Sequence, residues 1–379
     1  MANIPEDLIV DVLSRLPVET LLRFRCVSKR WCALIDSPNF LSLKLNQSLA
    51  TNNNFTLIFE KMKVDGLYSL GFDSLDDILN RDDHNIVKFD DPFLKADEFD
   101  IVGSCNGLIC LISLDVNEVL MLLNPSTKTH QILPTMPPSS DICDTVHGFG
   151  YDPVNDDYKI VNVATLFDDE VNPLGSEITV FSLKSNVWRR INHRFSNLLR
   201  LDKHGVFFNG ALHWAASHQP GSHEDNYIAA FDLGVENFRE VQLPKDFWSV
   251  TLGVSGGCLW LFGINVNDDD HLELWVMNNY MMREMSWTKH SLSFFSHVYE
   301  DLHVGQLGIL GYSKGTTQVL LVQINFNLFW LDLKQQTVVD LGFHSRGFRP
   351  LAAEIYIASL VKLPYDQGTN IRSVVTIAT

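Results

Sequence analysis

Three constellations in this 379-residue chain contain residue types that could do chemistry. Gly253-Val254-Ser255-Gly256-Gly257 fits GxSxG, in which a strained strand-to-helix turn exposes a nucleophilic serine beside an oxyanion hole. Both flanks here are strand-like, so the glycines read as a tight β-turn. His213, His218 and His223 recur at five-residue intervals. That interval fits neither one helical face nor a zinc-ligand spacing, so no metal and no other cofactor is assigned. Asp82-Asp83, Asp168-Asp169-Glu170 and Asp268-Asp269-Asp270 could hold a divalent cation or attract a basic segment. Short runs of this kind are usually solvated loop tips. The chain therefore reads as non-enzymatic.

Bulk properties narrow the class. Hydrophobic residues make up 46% of the chain, enough to fill a sizeable core and exclude global disorder. The formal charge is −17, and residues 1–50 carry six Lys/Arg against five Asp/Glu, so the acidity lies downstream. A surface that acidic repels phosphate backbones, which excludes nucleic acid as an expected partner. No basic stretch with an apolar h-region opens the chain, and no apolar run approaches ~18 residues, so neither secretion nor a membrane span is expected. The six cysteines include no CxxC pair and read as buried thiols of a reducing compartment. The sequons at Asn46 and Asn54 then go unused.

The first forty residues are organised differently from the rest. Pro5 opens a helical pattern in which Leu8, Ile9, Val12, Leu13 and Leu16 recur. Pro17 starts a second, with Leu21, Leu22, Phe24 and Val27. Ser28 can cap a third, carrying Trp31, Leu34 and Ile35, which Ser37-Pro38 is expected to stop. A unit of about 40 residues cannot bury so many large apolar side chains alone, and the leftover apolar surface marks a docking module. Periodicity ends after Leu45, so residues 1–45 are assigned to the helices and 46–54 to a polar linker.

From Phe55 onward the chain is a succession of roughly two dozen short β runs with turn signals between them. A hairpin motif recurs, anchored on Asn124, Ser182, Asp232, Asn278 and Asp332, at spacings of 58, 50, 46 and 54 residues. Ahead of several copies lies a glycine turn into an apolar strand: NGLICL at 106, NGALHW at 209, GGCLWL at 256. Two hairpins per period make a four-stranded propeller blade, so residues 55–364 are expected to form a β-propeller, most naturally six-bladed, with five or seven as alternatives. Paired β-sandwiches are the competing architecture. Closure should place FTLIFE at 55–60 and EIYIASL at 354–360 in the same blade, leaving residues 365–379 as a free tail.

The order Pro5, Leu8-Ile9, Val12-Leu13, Leu16-Pro17, Leu21-Leu22, Arg25, Val27, Lys29, Trp31 resembles the F-box, with Ile4 in place of the usual leading Leu. GSCNGLICL, LNPSTKTHQILP, GFGYDPVNDDYKIV, VFSLKSNVWRRI, NGALHWAA and FDLGVENFREVQLP resemble the F-box-associated, kelch-like domain of plant F-box proteins. The arrangement is most similar to a subgroup implicated in restraining defence signalling. The resemblance implies a substrate-recognition subunit of a cullin–RING ubiquitin ligase, in the cytoplasm or nucleus. It would dock on a Skp-family adaptor, and through it on a cullin and a RING protein, while the propeller holds a target protein for degradation. Pro5, Leu8, Ile9, Leu13, Leu16, Pro17, Leu21, Val27 and Trp31 are the positions expected at the adaptor contact or in the core beneath it. His213, Trp214, His218 and Trp248 are candidates for target contacts, with burial in a blade the competing reading for Trp214. A glycan- or metabolite-binding propeller serving another assembly is the alternative from a different class, and an orphan hydrolase the third.

Overall fold

The computed structural model describes residues 5–51, 55–61, 64–71, 86–89, 99–114, 118–138, 143–168, 170, 172–191, 200–218, 226–265, 272–280, 285–290, 307–312, 319–324, 327–343 and 350–364. Ile4, His223, the acidic runs at 82–83 and 268–270 and the tail 365–379 lie outside them.

Four helices open the chain: α1 (Glu6–Ser14), α2 (Val18–Phe24), α3 (Lys29–Ile35) and α4 (Pro38–Thr51). Pro5 and Pro17 stand immediately before α1 and α2 in extended conformation. The Ser28 hydroxyl accepts the Trp31 amide at 3.1 Å and caps α3. The three-helix expectation and the 46–54 linker are corrected by α4. Ser37-Pro38 does not stop the chain but starts a new helix. Ser37 accepts the Phe40 amide at 3.3 Å, and Pro38, whose missing N–H costs nothing in a first turn, is the first helical residue. Residues 46–51 continue that helix, with Ser48 buried.

The β region forms four-stranded antiparallel units in chain order. The first joins strand Pro350–Ile357 to Phe55–Lys61, Val64–Gly71 and Ile86–Lys88; the others span residues 99–132, 143–190, 200–241, 247–290 and 307–340. The expected closure is present: Phe55 pairs with Ile357 and Leu57 with Ile355, nearly the whole chain apart. Units three and four are fused into one eight-stranded sheet by a single parallel bridge, Gly205 to Gly148. Both positions are glycine because Trp214 lies across them. A Cβ on Gly205 would stand 2.4 Å from its ring, and one on Gly148 2.8 Å.

Strand alternation turns these units into a ring. Leu57 and Phe59 face unit six, packing with Leu328, Trp330 and Phe343, while Ile58 between them faces unit two. Each strand thus feeds two seams, which is why runs such as Leu108–Ser113 are buried at every position. Apolar clusters of this kind fill every seam around the ring, including the one between unit six and unit one.

The recurrent hairpin has a physical basis. Oδ1 of Asp232 accepts the amides of Gly234 and Val235, and that of Asp332 those of Lys334 and Gln335. Asn124 does the same for Ser126 and Thr127. Four residues after these anchors the backbone turns left-handed, at Lys128, Glu236 and Gln336. The glycine turns are the other hairpin of units two, four and five: Asn106-Gly107, Asn209-Gly210 and Gly256-Gly257 all have both residues at positive φ, as two-residue hairpins of this hand require.

Candidate docking surface

The helices separate their apolar residues into two sets. Leu13 and Leu21 are buried with Val18, Ile35 and Phe40, and Ile9, Leu16 and Trp31 pack partly buried against that cluster. The other set has nothing above it: Leu8 and Val12, one turn apart on α1, are 57% and 59% exposed, and Val27 before α3 is 62% exposed. Pro5 and Pro17 are exposed as well. The Glu6–Arg30 pair at 3.0 Å ties the first turn of α1 to the start of α3, the helix that Val27 precedes. The sequence alone does not single out Val12 as a contact position; its place four residues after Leu8 is the available signal.

The apolar cluster under these helices does not end with them. It continues into Ile58, Ile109, Leu111, Met121 and Tyr356, so the helices sit over the seam between units one and two. They lie at the end of the ring where Phe55 begins its strand and Ile357 finishes the closing one. The tight hairpin turns, such as Asn209-Gly210, share that end, because Phe208 pairs with Ala211 there.

The opposite end carries the two reachable target candidates. His218 follows the last residue of strand Ala211–Ser217, and Trp248 is the second residue of strand Phe247–Ser255; antiparallel pairing places both away from the hairpin-turn end. Trp248 is 42% exposed. His218 is half-buried, stacked on Tyr227 with centroids 4.3 Å apart and 3.7 Å from Glu240. His213 and Trp214 are corrected: they are 0% and 1% exposed and have no surface to offer a partner. His213 Nδ1 donates to the Val206 carbonyl, at 3.3 Å, which leaves Nε2 to accept from the Tyr280 hydroxyl. Burial pushes its pKa down to about 4, with Arg239 adding repulsion, so the ring is neutral at physiological pH. Trp214 is the wedge over Gly148 and Gly205 described above.

The remaining chemical candidates resolve structurally. Ser255 is buried in a strand and precedes the Gly256-Gly257 hairpin turn, with strand Cys258–Asn265 after it, so the geometry is not that of a nucleophile elbow. Asp168 uses its carboxylate to accept the amides of Glu170 and Asn172 and the Asn172 side chain, which accounts for an acid at that loop tip. A polar group that the sequence did not reveal lies on the first strands of units two, three and four and the second strand of unit three. There His204 Nε2 stands 3.1 Å from Asp100, and His147 Nε2 3.1 Å from Asn162. These residues come from three units and no linear spacing relates them. Burial drives His147 down to about 3, assisted by His204, so it is neutral as well. Among the described residues no three His, Cys, Asp or Glu side chains form a cluster fit for a metal ion, and no helix is long and apolar enough to cross a membrane.

Small helices with an exposed apolar stripe, packed on a closed ring of sheets, define a protein of the interaction class. Residues 1–43 match the F-box domain, and residues 55–352 match the F-box associated beta propeller domain. The chain belongs to the F-box proteins that carry this β-propeller. Its relatives in Arabidopsis thaliana include F-box protein CPR1, 32% identical over 95% of this chain and 89% of that one. F-box protein At4g22390 is 30% identical over 95% and 90%, and F-box/kelch-repeat protein At3g23880 29% identical over 76% and 78%.

Proposed function

We propose that this chain is a substrate-recognition subunit of a cullin–RING ubiquitin ligase, acting without catalysis of its own. The exposed stripe of Leu8, Val12 and Val27, flanked by Pro5 and Pro17, docks on a Skp-family adaptor, and through it the chain joins a cullin and a RING protein. The observation that carries this reading is the two-sided division of the F-box helices, one apolar set packed on the propeller and the other left in solvent. A target protein binds at the end of the ring opposite the helices, where His218 and Trp248 are reachable, since loops on a rigid scaffold commonly carry recognition. The contribution to ubiquitin transfer is proximity: the target is held at high effective concentration near the transferring thioester. The place of action is the cytoplasm or nucleus. Affinity capture of the full chain from plant extract tests the reading: adaptor and cullin should co-purify, whereas their absence would favour a ligand-binding propeller of another assembly.

A further inference from the structure

Past the closing strand the chain does not leave the ring. Residues 358–364 run between the helices and the hairpin turns of unit two. Ala358 and Leu360 enter the same apolar cluster as Leu13, Val18 and Leu21. The buried Asn124 side chain donates to the carbonyls of Ser359 and Val361, at 3.3 and 2.7 Å. Ser359 also fills the space over Gly107, where any Cβ would stand 2.0 Å from its hydroxyl. On the other side Lys362 reaches Asp36 at the end of α3, at 3.2 Å, and Asp36 also holds Arg25 from the end of α2 at 2.9 Å. Burial opposes ionisation of Asp36, but Lys362 and Arg25 outweigh it and hold its carboxyl below the usual range.

We propose that residues 358–364 are a strap that locks the docking helices at one angle on the propeller, so that a target is carried at a fixed orientation from the adaptor and not on a hinge. This rests on the docking reading above for its consequence, but not for its geometry. Three independent features support it: a helix where a polar linker was expected, a cluster shared by helices, strap and two units, and polar ties from the strap to both sides. A loose module would show none of them, because interdomain interfaces that permit motion are typically polar and share no core.

The test is the distance distribution between spin labels at Asn39→Cys on α4 and Val187→Cys on unit three, both exposed. It uses the full chain with Cys26, Cys32, Cys143 and Cys258 replaced by Ser. Double electron–electron resonance should return one narrow peak. Asn124→Ala with Lys362→Glu should lose that narrow peak while tryptophan-detected melting shows the β domain folded. Lys362→Glu alone, a surface change, gives the same readout if the double variant fails to fold. A broad or multiple distribution in the labelled chain with its strap intact would overturn the proposal, and so would a peak that stays narrow in the folded strap variants. Adaptor affinity measured in parallel keeps the readings apart: a chain that does not bind adaptor yet shows one narrow peak contradicts the docking reading alone.

Discussion

Lys159 offers the sharpest test of how the ring holds together. The residue is 5% exposed, and its ammonium joins units three and four: 2.8 Å from Asp152, 2.9 Å from Glu236 and 2.6 Å from the Leu233 carbonyl. Asp152 is 0% exposed. Burial would raise its carboxyl, yet the bonds from Lys159 and Asn155 hold it below the usual range; Glu236 is likewise held down against burial by Arg189 and Lys159. Lys159→Met keeps the stem and removes the charge. Breaking a buried pair from one side costs about 3–5 kcal/mol. Asp152 retains the Asn155 side chain and two backbone amides, and Glu236 retains Arg189, so the low end applies, about 3 kcal/mol. At roughly 2 °C per kcal/mol for a domain of this size, the melting temperature should fall by about 6 °C. Lys334→Met, on an exposed turn, should move it by well under that. The pH dependence has a definite sign. Carboxylates depressed in the folded state contribute stability that is complete above their unfolded pKa, about 4, and is lost as pH falls through the lower folded values. The variant should therefore lose less on acidification than the parent. An unshifted melting temperature, or an acid slope as steep as the parent's, would refute the argument.

Three further outcomes follow from particular contacts. A fragment of residues 1–349 lacks both the closing strand and the strap and should aggregate without a cooperative melt, whereas residues 1–364 should melt as the full chain does; a cooperative 1–349 fragment would contradict closure. Gly205→Ala drives a methyl into Trp214 and should cost about 1–3 kcal/mol by denaturant titration, with no change if the parallel bridge is not close-packed. Ser255→Ala should leave target capture unchanged, and the parent should not react with fluorophosphonate probes; stoichiometric labelling of Ser255 would reopen the hydrolase reading.

The β domain was largely legible because its repeat is written in backbone chemistry. An Asp or Asn that accepts two amides, with a residue turning left-handed four positions later, marks the outer hairpins at Asn124, Asp232 and Asp332, and an Asn-Gly or Gly-Gly pair marks the inner hairpins of units two, four and five. Helix α4 was not legible: Ser37-Pro38 serves equally as a stop or a start, and Asn46-Gln47-Ser48 reads as polar until Ser48 is seen buried. The docking face was legible only in part. Leu8, Ile9, Val12, Leu13 and Leu16 form an apolar stripe too wide for one neighbour, and only packing on the propeller shows that Leu13 turns inward while Leu8 and Val12 stay out. His213 escaped for the same reason, since a histidine satisfied by Val206 and Tyr280 has no signature in its own neighbourhood.

In the proposed complex Leu8, Val12 and Val27 form the adaptor contact, while Leu13 and Leu21 belong to the core. Calorimetric titration of a purified Skp-family adaptor into the full chain and into Val12→Asp with Val27→Asp tests this division directly. Both positions are exposed, so the variant should melt like the parent. Each carboxylate would be stranded in an apolar interface at a cost of about 3 kcal/mol or more, and affinity should fall roughly a hundredfold or beyond. Undiminished affinity in that folded variant would contradict the docking surface assigned here.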